Sequence, residues 1–174
     1  NIIEKIVNFA NPSPKIPILE IGCGRGNLTQ ALASIGSELR VIEIDERWLN
    51  EVKKLNLPNT SFILEDALNV NFSNFPKCNL IANLPYQITS PLFEHFVTHK
   101  TQFHSLTIMI QKDVADRLLS EKNKKQFGSM TIFCRYHFEI TRGFSVSRNS
   151  FTPVPNVDSY VIKLTPKKAT LNQR

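Results

Sequence analysis

Long apolar runs, paired cysteines and clustered metal ligands are all scarce in this chain, and each scarcity removes a class of protein. No stretch approaches the roughly 18 apolar residues of a membrane-spanning helix, so no membrane partner is expected. No basic-then-apolar leader opens the chain; residue 1 is Asn1, and the natural start is read as missing. The three cysteines, Cys23, Cys78 and Cys134, stand far apart, without a C-x-x-C pair. That argues against both a disulfide framework and a zinc site, and fits a reducing, cytoplasmic setting. His95 and His99 are spaced i, i+4, but no third ligand is near; they read as a surface pair, and no metal is expected. Repeats and low-complexity tracts are absent.

What is present is the composition of one globular domain: 174 residues, 41% hydrophobic and 21% charged. The net charge of +6 is unevenly spread. Residues 1–60 hold seven basic and seven acidic side chains, residues 61–110 two and three, and residues 111–174 twelve and five. The surplus in the last third includes Lys112, Arg117, Lys122, Lys124, Lys125, Arg135, Arg142 and Arg148. Such a one-sided excess suits a polyanion partner, although a charged surface also serves solubility.

Apolar runs alternate with helix-like stretches. Residues 1–9 read as a helix, broken by Asn11-Pro12-Ser13-Pro14. Strands are expected at 18–21, 39–44, 61–64, 79–82 and 106–110. Helices are expected after the first strand through Ser34, at 48–55, at 90–97 with Ser90 as cap, and from Asp113 to Ser120. This alternation predicts a doubly wound, mostly parallel α/β sheet. Residues 138–146 and 158–164 read as two late strands joined by a Pro-rich loop without a helix, an antiparallel hairpin closing the sheet. Ligands of such sheets bind at the carboxyl ends of the strands.

Four strand ends carry candidate chemistry. After the first comes Gly22-Cys23-Gly24-Arg25-Gly26, glycines at alternate positions that let backbone turn sharply beside a ligand. A dinucleotide fingerprint would need glycine at position 27, which is Asn27. After the second, Glu43 stands 21 positions beyond Gly22, close to the offset at which a carboxylate reaches ribose hydroxyls; the alternative is a solvated strand end. After the third, Asp66 could accept from an adenine amine or cap a turn. After the fourth comes Asn83-Leu84-Pro85-Tyr86. A base amine is a poor nucleophile because its lone pair is delocalised into the ring. The Asn83 amide oxygen and the Leu84 carbonyl could accept its two hydrogens, Pro85 stiffens the turn, and Tyr86 offers a stacking surface.

The glycine turn, Glu43, Asp66 and Asn83-Leu84-Pro85-Tyr86 resemble the class I, Rossmann-like methyltransferases that use S-adenosyl-L-methionine. More narrowly, residues 83–92 (NLPYQITSPL), 111–117 (QKDVADR) and 151–159 (FTPVPNVDS) resemble the KsgA-like ribosomal RNA adenine N6,N6-dimethyltransferases. The resemblance implies a seven-stranded sheet with an antiparallel C-terminal strand. It implies a cofactor site of Gly22, Gly24, Glu43, Asp66 and Asn83, and a catalytic set of Asn83, Leu84, Pro85, Tyr86 and Phe151. Phe151 would cover the target adenine from the side opposite Tyr86; its alternative is a core aromatic. The implied partner is small-subunit ribosomal RNA within an immature small ribosomal subunit, and the implied state a monomer. The family's N-terminal cofactor-covering segment and its C-terminal helical domain have no counterpart in residues 1–174, which are therefore expected to be the catalytic domain alone. Two other outcomes fit the same motifs: a large-subunit RNA adenine methyltransferase conferring antibiotic resistance, and a non-catalytic nucleic-acid-binding factor of the same fold.

Overall fold

The computed structural model describes residues 1–168. A single sheet is built from β1 (Ile18–Ile21), β2 (Leu39–Glu43), β3 (Thr60–Leu64), β4 (Cys78–Asn83), β5 (Phe103–Gln111), β6 (Phe138–Val146) and β7 (Ser159–Pro166). Six helices flank it: α1 (Ile2–Ala10), α2 (Asn27–Ala33), α3 (Glu46–Lys53), α4 (Thr89–Thr98), α5 (Lys112–Leu119) and α6 (Ser129–His137).

The strand order is β3-β2-β1-β4-β5-β7-β6. The first five strands pair in parallel, and β7 runs antiparallel to both β5 and β6. The expected doubly wound sheet with its antiparallel closing strand is what forms. Alternation along the central strands splits the core in two. Leu19, Ile21, Leu80, Ile108 and Ile162 pack with Phe93, Phe96, Leu118 and Cys134 of α4–α6. Ile18, Val41, Ile81, Met109 and Val161 pack with Ile6, Leu28, Leu32 and Val52 of α1–α3. Because β1 lies between β2 and β4, the chain winds outward in two directions from that pair. A crevice opens beyond the carboxyl ends of β1 and β4, at Gly22 and Asn83.

Local chemistry sets the element ends. Asn1 caps α1 through its side chain, which accepts from the Ile3 amide at 3.0 Å, and Asn11 closes that helix in the left-handed region at φ 47°. Asp45 caps α3, accepting from the Arg47 amide at 2.9 Å. Most expected boundaries lie within two residues of those observed; β5 extends three residues earlier, to Phe103.

One helix went unforeseen, and three readings are corrected. Helix α6 has no forerunner in the sequence reading, because its SMTIFCRYH is rich in β-branched and aromatic residues. Packing against α5 and side-chain bonds to it override that propensity. Ser90 does not cap α4, which begins at Thr89 behind a 3₁₀ turn and has no side-chain cap. His95 and His99 are not a surface pair. Both are half-buried against Phe72, and His95 Nε2 lies 2.7 Å from the Val70 carbonyl. Nor do all eight late cations stand free. The Thr131 hydroxyl, Arg135 Nε and Arg142 Nη2 donate to the carbonyls of Arg117, Leu118 and Leu119 at 2.6, 3.0 and 3.0 Å. They close the carboxyl end of α5, where the helix dipole favours positive charge.

Candidate active site

The crevice holds a cavity of about 430 Å³ lined by Gly22, Gly24, Glu43, Asn83, Leu84, Pro85, Tyr86, Phe151, Thr152, Pro153 and Pro155. Sequence reasoning assigned eight of these to the site; it quoted Thr152, Pro153 and Pro155 only as part of the 151–159 motif, in the loop between β6 and β7. Asp66 lies outside this lining. Its Oδ1 accepts from the Leu68 amide at 3.0 Å, the capping role that sequence reasoning held open.

The glycine turn is shaped by Glu43. Glu43 Oε2 accepts from the Cys23 amide at 2.8 Å and the Gly24 amide at 3.4 Å, and Oε1 accepts from the Asp45 amide at 3.0 Å. At 7% exposure this is not a solvated strand end. Oε1, with a single bond, keeps acceptor capacity beyond it. Gly22 adopts φ +77°, which side chains rarely tolerate, and a Cβ there would come 3.8 Å from the Asn83 carbonyl and 3.9 Å from the Pro85 ring. The first glycine and the Asn83 turn therefore close on each other.

Two exposed apolar side chains beside this site escaped sequence reasoning. Ile44 follows Glu43 with 67% of its surface exposed, and Leu64 ends β3 at 49%. The signal was there: an isoleucine between two acids at a strand end has no core to join.

Asn83 ends β4 with its side chain exposed, and that side chain makes no hydrogen bond among the described residues. Leu84 is anchored: its side chain is buried and its amide donates to the Met109 carbonyl at 3.1 Å. Its carbonyl takes no partner among the described residues. Pro85 opens a 3₁₀ turn, closed by the Ile88 amide and the Thr89 hydroxyl on the Pro85 carbonyl at 3.4 and 3.2 Å. Tyr86 and Phe151 are both half-buried, and Phe151 also leans on the α1–α3 side of the core. It is wall and core aromatic at once.

Below the turn lies Glu20, on β1, 1% exposed, with neither carboxyl oxygen in hydrogen-bond geometry with any described group. Burial pushes this carboxyl up to about 8; the Thr29 hydroxyl softens the shift and the charge of Glu43 adds to it. At neutral pH Glu20 is thus held mostly in its neutral form. The Cys23 thiol, which points its weak donor at Glu43 Oε2 across 3.4 Å, is pushed up to about 12 by burial and that carboxylate. Among the described residues no three His, Cys, Asp or Glu side chains gather as metal ligands, and no helix is long and apolar enough to cross a membrane.

These features have counterparts in known proteins. The "Ribosomal RNA small subunit methyltransferase A" of Streptococcus thermophilus is 38% identical over 98% of this chain and 62% of its own length. That of Clostridium botulinum is 41% identical over 94% of this chain and 62% of its own. The chain thus spans about three fifths of these relatives. The crystal structure of a dimethyladenosine transferase from Plasmodium falciparum superposes with a TM-score of 0.86 at 36% identity, covering 95% of this chain and 61% of that one. The 23S rRNA methyltransferase ErmE gives the same TM-score, 0.86, at 26% identity, covering 99% and 70%. The family model described as ribosomal RNA adenine dimethylase matches residues 1–174, and the chain belongs to that family.

Proposed function

We propose that residues 1–174 are the catalytic domain of an enzyme that dimethylates N6 of two adjacent adenosines near the 3′ end of small-subunit ribosomal RNA. It would act as a cytoplasmic monomer on the immature small subunit. The observation that carries this reading is the pair of unused acceptors, Asn83 Oδ1 and the Leu84 carbonyl, on one turn of a cavity whose lining also holds Tyr86 and Phe151.

The residues present suit S-adenosyl-L-methionine. Gly22 and Gly24 leave room for close backbone approach, Glu43 Oε1 keeps acceptor capacity for a ribose hydroxyl, and Ile44 offers exposed apolar surface beside it. Asp66 Oδ2 is left to meet an adenine amine, since Oδ1 is committed to its turn. Glu43 also lends negative charge to a site whose cofactor is cationic. When bound, the cofactor supplies an electrophilic methyl group on a sulfonium.

The protein's part is positioning. Asn83 Oδ1 and the Leu84 carbonyl accept the two amine hydrogens of the target adenine and draw its nitrogen lone pair out of conjugation. Tyr86 and Phe151 hold the extruded base, with stacking of ~1–3 kcal/mol per ring. Holding the nitrogen in line with the methyl group removes much of the entropic barrier. The amine proton leaves to water after the new bond forms, so no buried general base is needed.

Methylation of large-subunit RNA is the main alternative, but the small-subunit enzymes are 38–41% identical where ErmE is 26%. A non-catalytic factor would have no use for unpaired acceptors at Asn83 and Leu84. The test is Asn83→Ala in the full-length protein, assayed by labelled methyl transfer to small-subunit particles. Transfer should fall roughly 100-fold or more, the scale for losing one preorganised polar contact, with the thermal melt unchanged. Near-normal turnover would sink the assignment.

A further inference from the structure

The two aromatic walls of the cavity are tied to the start of one strand by consecutive residues. Tyr86 Oη and Ser159 Oγ are 2.8 Å apart, across 73 positions of sequence. Ser159 is fully buried, and as the first residue of β7 it pairs with Gln111 on β5 and Val146 on β6. It is a fixed point of the sheet, whereas Tyr86 sits in a short turn outside it. The neighbouring Asp158 reaches the other wall. Its carbonyl accepts from the Lys112 amide at 2.9 Å, and its Oδ1 accepts from the Arg148 amide at 2.8 Å. The Arg148 guanidinium donates to the Asn156 carbonyl at 3.0 Å, and the Arg148 carbonyl accepts from the Phe151 amide at 3.2 Å.

Neither tie is needed to close its local turn. The Pro85 turn is closed by Ile88 and Thr89, so a phenylalanine at position 86 would serve that turn as well as tyrosine. The hydroxyl adds direction: it fixes how the ring meets the cavity.

We propose that Asp158 and Ser159 are positioning residues, Ser159 setting the tilt of the Tyr86 ring and Asp158 the approach of Phe151, so that one dipeptide at the head of β7 fixes the gap between the two walls. The consequence for turnover rests on reading the cavity as a base pocket; the placement of the rings does not.

The experiment uses the full-length protein with Tyr86→Phe, Ser159→Ala, their double variant, Asp158→Ala and Asp158→Asn. Tyr86→Phe and Ser159→Ala should each lower kcat about three- to tenfold, the scale of one neutral hydrogen bond, with cofactor Kd unchanged. The double variant should be no worse than either single. Asp158→Ala should cost a similar factor, and Asp158→Asn, which keeps an acceptor oxygen for the Arg148 amide, should restore turnover. Multiplicative losses in the double variant, unchanged kcat in the singles, or an Asp158→Asn as poor as Asp158→Ala would overturn the proposal. A second readout needs no RNA. In protein labelled with 3-fluorotyrosine, the Tyr86 fluorine resonance, identified by its loss in Tyr86→Phe, should shift in Ser159→Ala. An unmoved resonance overturns the Ser159 tie. If the wild type transfers no methyl group at all, the base-pocket reading fails, and the fluorine shift alone decides whether Ser159 holds the ring.

Discussion

Glu20 should make this fold lose stability as pH rises through neutrality, and Glu20→Gln should remove that loss. The carboxyl is 1% exposed, without a hydrogen-bond partner among the described residues, and its folded-state value is raised from 4.5 to about 8. The unfolded chain releases this proton near pH 4.5, whereas the folded protein keeps it until about pH 8. Between those limits the native state binds the extra proton, so stability is fully present below the unfolded value and drains away as pH climbs to the folded one. A single such group gives a slope of about 1.4 kcal/mol per pH unit. Over the whole window the ceiling is roughly 5 kcal/mol, and relaxation around the charge should reduce it to about 2–4 kcal/mol. Glutamine matches glutamate in shape and carries no charge at any pH. Urea unfolding of the two proteins at pH 5, 6, 7 and 8 isolates the effect, because all other titrating groups are shared. The stability advantage of Glu20→Gln should be smallest at pH 5 and grow steadily to pH 8. Two curves that stay parallel would refute both the burial argument and the neutral state of Glu20.

Three further outcomes follow from the same geometry. Gly143 sits at the bulge of β6, where a Cβ would collide with the Val161 carbonyl, so Gly143→Ala should destabilise the chain by about 1–3 kcal/mol in urea unfolding. Cys23, 6% exposed and pushed up to about 12, should resist iodoacetamide at pH 8 in the folded protein and react on unfolding, as read by mass spectrometry; fast native alkylation would contradict its burial. RNA binding should weaken with salt, and reversing the exposed Lys122, Lys124 and Lys125 to glutamate should flatten that dependence, whereas Arg135→Gln should chiefly lower the melting temperature.

The fold was legible where strands are short and apolar between breakers, as β1 is between Pro17 and Gly22, or alternate in register with a polar face, as the edge strand β6 does. Ile18–Ile21 and Phe138–Val146 were read with the bounds they have. Helix α6 was not, because what holds it is remote. Thr131 and Arg135 reach carbonyls of Arg117 and Leu118, 14 and 17 positions away, and no local pattern announces such bonds. The same blindness affected the charge map. Arg135 and Arg142 count as surplus cations in sequence, yet in space they close a helix end. The site was legible for a topological reason. In a sheet that winds outward from β1 and β4, residues just past strand ends converge whatever lies between them, so reading strand ends in turn recovers most of the cavity wall.

Glu43 shows where that reading stops. Sequence spacing assigns its carboxylate to a ribose, and burial next to the glycine turn is consistent with that task. The same carboxylate also accepts the amides of Cys23, Gly24 and Asp45, so it builds the turn that would receive the cofactor. Three backbone donors around one buried anion leave little slack. A shortened side chain would strand those amides as well as forfeit the ribose contact. Glu43→Asp and Glu43→Gln therefore probe different things. Glutamine keeps the length and one acceptor oxygen but turns its amide donor toward backbone donors, and aspartate keeps the charge but withdraws it from them. Both variants should lose cofactor affinity, measured by calorimetric titration, and both should also lower the melting temperature. A variant that lost affinity with its melting temperature intact would separate the two roles and show that the turn holds its shape without Glu43.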